Sequence, residues 1–206
     1  MATETQQIEV PQISIRQMEI TIIGDSPLIQ HKWSEKAKAQ MLSKQKKEAK
    51  QGKEAKNPEQ DFKDSVYVIE AKEPFEQSIF GFPAVAFKAS AVGACRFVDG
   101  VKMTEARGAF HIIGEIVRLY GPPPKMREDM VRIGMGTADI RFRGEFFPWA
   151  ARLEITYNDR ALSAGQIINL FNVAGFGVGV GEWRPERDGS YGRFHVATEQ
   201  EVQAIA

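Results

Sequence analysis

The sequence has few residues that could build a catalytic or metal centre, since it contains one cysteine and three histidines among 206 residues. A single thiol, Cys95, excludes a disulfide framework and any zinc site that needs several thiolates. His31, His111 and His195 are far apart, and there is no Gly-x-Ser-x-Gly, Walker or dinucleotide-binding motif. We therefore expect a protein that is not an enzyme and holds no metal or cofactor. An enzyme that uses unpaired carboxylates is the alternative.

Long apolar runs are also absent. None approaches the roughly 18 residues of a membrane span, and the polar segment Thr3–Gln7 is unlike a signal peptide. We expect a cytoplasmic protein with no membrane partner. Because one domain usually contains roughly 100–200 residues, we expect residues 1–206 to form a single domain with a charged insertion at residues 32–77.

The sequence lacks net charge, because 27 Lys+Arg balance 27 Asp+Glu. This balance excludes a histone-like polycation that binds nucleic acid through bulk charge. The charges are nevertheless segregated. Lys32–Lys56 has nine lysines and three acids (+6), Glu59–Gln77 has two lysines and six acids (−4), and Val101–Arg143 has eight basic and five acidic residues (+3). This pattern favours one face for an anion and another for solvent or a neighbouring subunit. A solvated lysine-rich helix is the alternative for the first segment.

Apolar periodicity predicts an α+β protein, an antiparallel sheet with helices on one face. The predicted strands are Ile13–Gly24, Phe110–Tyr120, Thr137–Phe147, Trp149–Tyr157 and Tyr191–Val196, and the predicted helices are Ser34–Lys50, Pro83–Arg96 and Ser163–Val173. We expect the two strands that flank Pro148 to form a hairpin. Ser163 and Gln166 have the spacing of a capping box at the start of the last helix.

A glycine-rich loop, Gly175–Phe194, separates the last predicted helix from the last strand. Its glycines would permit close approach either to a phosphate or to another stretch of backbone. Aromatic rings can stack on bases and arginines can bind phosphates, and the loop supplies Trp183, Tyr191, Arg184, Arg187 and Arg193. The alternative is a glycine-rich hairpin packed under the sheet and anchored by Trp183.

Two other groups of charged residues have a predicted role. Lys88 lies among apolar helix residues, and a buried unpaired ammonium would cost several kcal/mol. We therefore expect its amine to reach the sheet edge or the glycine-rich loop, with a lysine that snorkels at the helix surface as the alternative. Glu128, Asp129 and Asp139 lie among arginines, and this setting favours salt bridges over a metal site.

Two stretches resemble the RAMP superfamily, the repeat-associated proteins that form the RNA-binding backbone of CRISPR effector complexes. Gly81–Ala89, GFPAVAFKA, resembles the helix start IPGSSLKG of that superfamily with the same Pro-to-Lys spacing, although Val85 and Ala86 replace its two serines. The glycine-rich loop resembles the one that joins the last helix and last strand of the superfamily's RRM-like (ferredoxin-like) sheet. The basic insertion also resembles the insertions of these subunits.

The resemblance implies an RRM-like sheet, single-stranded nucleic-acid binding and side-by-side assembly along the strand. The sequence is also similar in style to small bacteriophage proteins, which implies a stand-alone relative in the host cytoplasm. Our hypothesis is a sequence-tolerant binder of single-stranded RNA or DNA that self-associates into a homo-oligomer or filament. The alternative is a phage structural or assembly protein whose segregated charge serves only subunit packing. The candidate nucleic-acid-binding residues are Lys44, Lys46, Lys47, Lys50, Lys88, Arg96, Arg107, Arg141, Arg143, Gly179, Gly181, Trp183, Arg184, Arg187, Tyr191 and Arg193.

Overall fold

An antiparallel sheet forms the centre of the computed structural model, which describes residues 12–33, 35–46, 57–133 and 136–205. The strands of the structure, which belong to two sheets, are β1 (Ile15–Gly24), β2 (Leu28–Gln30), β3 (Tyr67–Glu70), β4 (Ile79–Pro83), β5 (Phe110–Ile112), β6 (Ile116–Tyr120), β7 (Lys125–Ile133), β8 (Thr137–Phe146), β9 (Ala150–Asn158) and β10 (Phe194–Val196). Its helices are α1 (Glu35–Gln45), α2 (Pro58–Asp64), α3 (Ala84–Ala94), α4 (Met103–Ala109), α5 (Ala164–Gly177) and α6 (Glu199–Ile205). No helix within these ranges is long and apolar enough to cross a membrane.

The strand order identifies the fold. The larger sheet has the order β10–β1–β9–β6–β4–β3, and β5 also pairs with β9. In chain order, β1, α3, β5 with β6, β9, α5 and β10 form a β-α-β-β-α-β unit. The last strand of this unit lies beside the first, and every pairing within it is antiparallel. The predicted α+β class with an RRM-like (ferredoxin-like) sheet is confirmed.

The core lies between this sheet and the helices α3 and α5. Side chains alternate along β9, where Leu153 and Ile155 are fully buried while Arg152 is exposed. Phe87 of α3 and Phe171 of α5 belong to the same buried cluster as these residues. The helices therefore cover one face of the sheet, as predicted.

The hairpin predicted around Pro148 is wrong. β9 instead pairs with β1 from Ala150 to Asn158, and β8 pairs along its length with β7, a strand that the sequence analysis did not predict. β8 and β9 do not pair with each other because the intervening Trp149 is buried and its indole Nε1 donates a hydrogen bond to the carbonyl oxygen of Ser26, 2.8 Å away. The chain thus passes at this point from the smaller sheet, β2–β8–β7, into the larger one.

The single strand predicted over Phe110–Tyr120 is also wrong. The chain bends at Gly114, whose φ of 88° favours glycine, and two short strands result. β5 places Phe110 opposite Tyr157 of β9, whereas β6 places Leu119 opposite Ala151. The two pieces therefore use different ends of the same neighbouring strand.

The charged insertion contributes to the sheet itself. α1 ends at Gln45, and the remainder of the predicted Ser34–Lys50 helix lies outside the described residues apart from Lys46. After α2, the acidic half of the insertion forms β3, which pairs with β4. Gln30 joins the two parts of the chain: its amide donates to Gly81 O at 2.9 Å, and its side-chain oxygen accepts from Tyr67 N at 2.9 Å.

The C-terminal helix α6 is held by His195 of β10. In register, His195 lies opposite Ile23 of β1, next to the buried Ile22, so its ring is on the face away from α3 and α5. Nδ1 lies 2.7 Å from Oδ1 of Asp25, and Nε2 lies 3.2 Å from Oε1 of Glu201. Both nitrogens donate only when the ring is protonated. Partial burial lowers the pKa of His195, but the hydrogen bonds to the two carboxylates outweigh it and raise that pKa.

The attachment of α6 is expected to weaken as pH rises. Because folding raises the pKa of His195, the contribution is complete below the pKa of an unfolded histidine, about 6.5, and is lost as pH passes the folded value. We expect the unfolding free energies of wild type and His195→Gln, measured in urea, to differ more at about pH 5.5 than at about pH 9. A difference that does not change with pH would contradict a protonated clamp.

Candidate nucleic-acid interface

The glycine-rich loop folds against its own chain. A Cβ on Gly175 would overlap the Phe194 carbonyl, and a Cβ on Gly192 would overlap the Val180 carbonyl. The amide of Gly179 already donates to Ala174 O at 2.8 Å, and a Cβ on Gly181 would lie 2.6 Å from Ile29 O. These glycines permit backbone packing, and the Gly179 amide already has a partner; the phosphate contacts of Gly179 and Gly181 stay a prediction.

This packing presents Trp183 at the surface in an unusual backbone conformation. Its φ is 55°, a left-handed value that is rare for a bulky residue and marks strain. Tyr191 N donates to Trp183 O at 3.0 Å, and a Cβ on Gly189 would overlap that same oxygen. The indole remains 41% exposed. The loop therefore holds a flat ring in water at the expense of backbone strain.

The strands β7 and β8 support the two aromatic rings of the loop with arginines. The guanidinium of Arg143, which is 5% exposed, lies 5.9 Å from the Trp183 ring centroid, and that of Arg127 lies 4.8 Å from the Tyr191 centroid. Both arginines bond to the buried Asp129, at 3.2 Å from Arg143 and 2.7 Å from Arg127. The predicted salt-bridge role of Asp129 is confirmed.

A bridge of two arginines and one carboxylate closes the other side of the loop. Glu186 accepts from Arg96 at 2.6 Å and from Arg184 at 2.9 Å. Partial burial raises the pKa of Glu186, but its bonds to Arg184 and Arg96 outweigh it and lower that pKa. Arg184 also donates to Gly181 O at 3.0 Å. Arg96 and Arg184, both predicted to bind nucleic acid, therefore contact the same carboxylate, and Glu186 neutralises part of their positive charge.

The other residues predicted to bind nucleic acid lie near α1, on α3, α4 and β8, or elsewhere in the loop. Lys88 reaches the sheet, with its Nζ 3.0 Å from Nδ1 of His111 on β5, and partial burial lowers its pKa. Arg107 is exposed on α4, Arg187 is exposed in the loop, and Arg141 pairs with Asp139 on β8. The half-buried Arg193 donates its backbone amide to Ser26 Oγ at 3.0 Å. Lys46 is exposed beyond α1, whereas Lys47, Lys50 and the side chain of Lys44 lie outside the described part of the chain.

Sequence reasoning missed Arg127, Glu145 and Glu182 as members of this region. Arg127 donates to Glu145 at 2.9 Å, and Glu182 lies 3.9 Å from Arg143. The signal was present in the alternation of charged residues along Asp139, Arg141, Arg143 and Glu145, which puts them on one face of a strand.

The face of the sheet opposite α3 and α5 differs from a classical RRM surface. At its centre, β1 and β9 present Glu19 and Arg152, which form an exposed ion pair at 3.4 Å. Thr21 and Glu154 neighbour them on the same face. These central positions carry no aromatic rings on which bases could stack. The loop is therefore the better candidate for base contacts.

No protein-family model matches the chain, and no curated protein matches its sequence. Among solved structures, the chain is similar to the crystal structure of Cmr6 from Pyrococcus furiosus, with 10% sequence identity, coverage of 90% of this chain and 100% of that chain, and a TM-score of 0.45. The fold assignment above rests on the strand order of this chain itself.

Proposed function

We propose that the protein binds single-stranded nucleic acid, RNA or DNA, with little sequence preference. The observation that carries the proposal is Trp183, an exposed indole in a strained conformation with a buried arginine beneath it. Strained residues cluster at functional sites, and an exposed ring can stack on any base. Tyr191 and the exposed Arg187 in the same loop supply a second ring and a cation for phosphate.

We also propose that copies assemble side by side along the strand, as the RAMP resemblance implies. Opposite charge on Lys32–Lys56 and Glu59–Gln77 permits attraction between neighbours. One face of the β7–β8 hairpin exposes Met126, Met130 and Ile140, with Met130 78% exposed and directly opposite Ile140. Exposed apolar patches of this kind mark interaction sites, and neighbours held together would raise affinity for long strands.

The test is binding to fluorescent homopolymer oligonucleotides of increasing length, both RNA and DNA. We expect the affinity to increase faster than linearly with strand length. We also expect the logarithm of the binding constant to fall linearly with the logarithm of the salt concentration, with a slope of about −0.7 for each phosphate contact. Regular rods on long strands in electron micrographs would support assembly. Oligomers that form with salt dependence but have no affinity for any strand would favour the assembly-protein alternative and contradict the proposal.

A further inference from the structure

A cleft lies beside Trp183, and the base stacking proposed on the indole does not fill it. Its volume is about 380 Å³, within the roughly 300–1,000 Å³ typical of small-ligand sites. Its walls come from the end of β2, the end of β4, the first turns of α3 and the segment Val178–Glu182 of the loop. Ile29, Phe82, Val178 and Val180, which are almost fully buried, lie at its floor, and the exposed Val85 of α3 supplies apolar surface at one wall. The cleft is therefore open, has a mixed polar and apolar lining, and is continuous with the candidate interface.

The polar lining contains both donors and acceptors: Arg184 and Glu186 bond to each other at 2.9 Å, and Glu182 supplies a further carboxylate. The Glu182 carboxylate lies 3.9 Å from the Arg143 guanidinium and 4.0 Å from the His31 ring. These distances are longer than hydrogen bonds, so its charge is balanced while its oxygens can still accept. Burial and then the charge of Arg143 lower the pKa of His31, against the opposing effect of Glu182. The ring is thus neutral near pH 7, with one donor and one acceptor.

These groups match one base better than the others. The Watson–Crick edge of guanine has two adjacent donors, N1–H and the N2 amine, which fit the two oxygens of one carboxylate. Adenine, cytosine and uracil each place an acceptor where one of these donors would be. Because Glu182 directly precedes Trp183, a strand with one base on the indole can place a neighbouring base at the cleft.

We propose that the cleft accepts one guanine base of the bound strand, with its donor edge on Glu182 and its ring against the exposed Val85 of α3. This inference rests on the proposed function and adds a preference at one nucleotide to otherwise sequence-tolerant binding.

The test compares a 12-nucleotide oligouridylate with the same strand carrying one central guanine, and the corresponding thymidine DNA strands. We expect wild type to bind the guanine strand about tenfold more tightly, the value of one good bidentate contact. Inosine, which lacks the N2 amine, should remove most of this gain. Glu182→Gln should remove it, so that this variant binds the oligouridylate and the guanine strand with equal affinity. Glu199→Gln, which makes the same charge change at an exposed position on α6, is the matched control and should retain it.

The outcomes separate the two proposals. Wild-type protein that binds all strands equally would overturn the guanine site and leave strand binding intact. Protein that binds no strand would overturn the proposed function. Ala89→Trp, which places a large side chain in the cleft lining, should abolish the guanine preference even if Glu182→Gln is poorly folded. Guanosine monophosphate that binds alone as tightly as the guanine strand would show a free-nucleotide site and overturn the strand assignment.

Discussion

Trp183→Ala is expected to weaken single-strand binding by about 5- to 150-fold, because one base–aromatic stack contributes about 1–3 kcal/mol. Trp183→Phe should retain most of the affinity, since phenylalanine keeps a flat ring. The measurement is fluorescence anisotropy with a homopolymer strand at fixed salt. Phe176→Ala is the matched control, because it removes another exposed aromatic ring, 78% exposed, from the end of α5.

The strained backbone of Trp183 makes it possible to separate binding from folding. Trp183→Gly removes the ring and also suits the φ of 55°, which glycine adopts without penalty. We expect this variant to unfold at the same or a higher urea concentration than wild type while its affinity for the strand falls as in Trp183→Ala. If Trp183→Gly loses stability and retains affinity, Trp183 is a packing anchor and the stacking proposal is wrong.

Sequence reasoning correctly predicted the elements whose residue pattern, a capping box or an alternation of apolar and polar residues, lies within one continuous segment. α5 begins at Ser163 with the predicted capping box, and β9 alternates buried and exposed residues as its sequence does. β7 was missed because Arg127 and Asp129 occupy its inward positions. Their burial becomes favourable only when Arg143 and Glu145 of β8 supply the ion-pair partners, which is a long-range condition.

The role of the glycines could not be decided from the loop alone for the same reason. Gly181 meets Ile29 of β2, which is distant along the chain, and Gly175 meets Phe194 only when the far end of the loop folds back. Local sequence is equally compatible with a phosphate or a backbone in that space. Trp183 and Tyr191 were identified because they are aromatic residues among the loop arginines, but the strain at Trp183 and the arginine beneath it follow from the fold.

Asp129→Ala is expected to lower the unfolding free energy by about 3–5 kcal/mol, the usual cost of leaving a buried charge without its partner. Asp129 accepts from both Arg127 and Arg143. Arg127 keeps Glu145 at 2.9 Å, whereas Arg143 keeps only Glu182 at 3.9 Å among the described residues, so most of the cost falls on Arg143. Urea unfolding of wild type and variant measures it. Glu19→Ala, which breaks the half-exposed pair with Arg152, should cost no more than about 1 kcal/mol.

Asp129 also connects the strands β7 and β8 to the loop, because it bonds to Arg143, which contacts the Trp183 ring. Since Arg143 lies beneath Trp183, its release should also weaken strand binding in Asp129→Asn, the milder variant that keeps the side-chain shape. Combined with Trp183→Ala, the effects on affinity should be less than additive, because both act on one ring. Additive losses of affinity would mean that Asp129 affects binding through another contact. An unfolding free energy of Asp129→Ala within about 1 kcal/mol of that of wild type would contradict a buried ion-pair network.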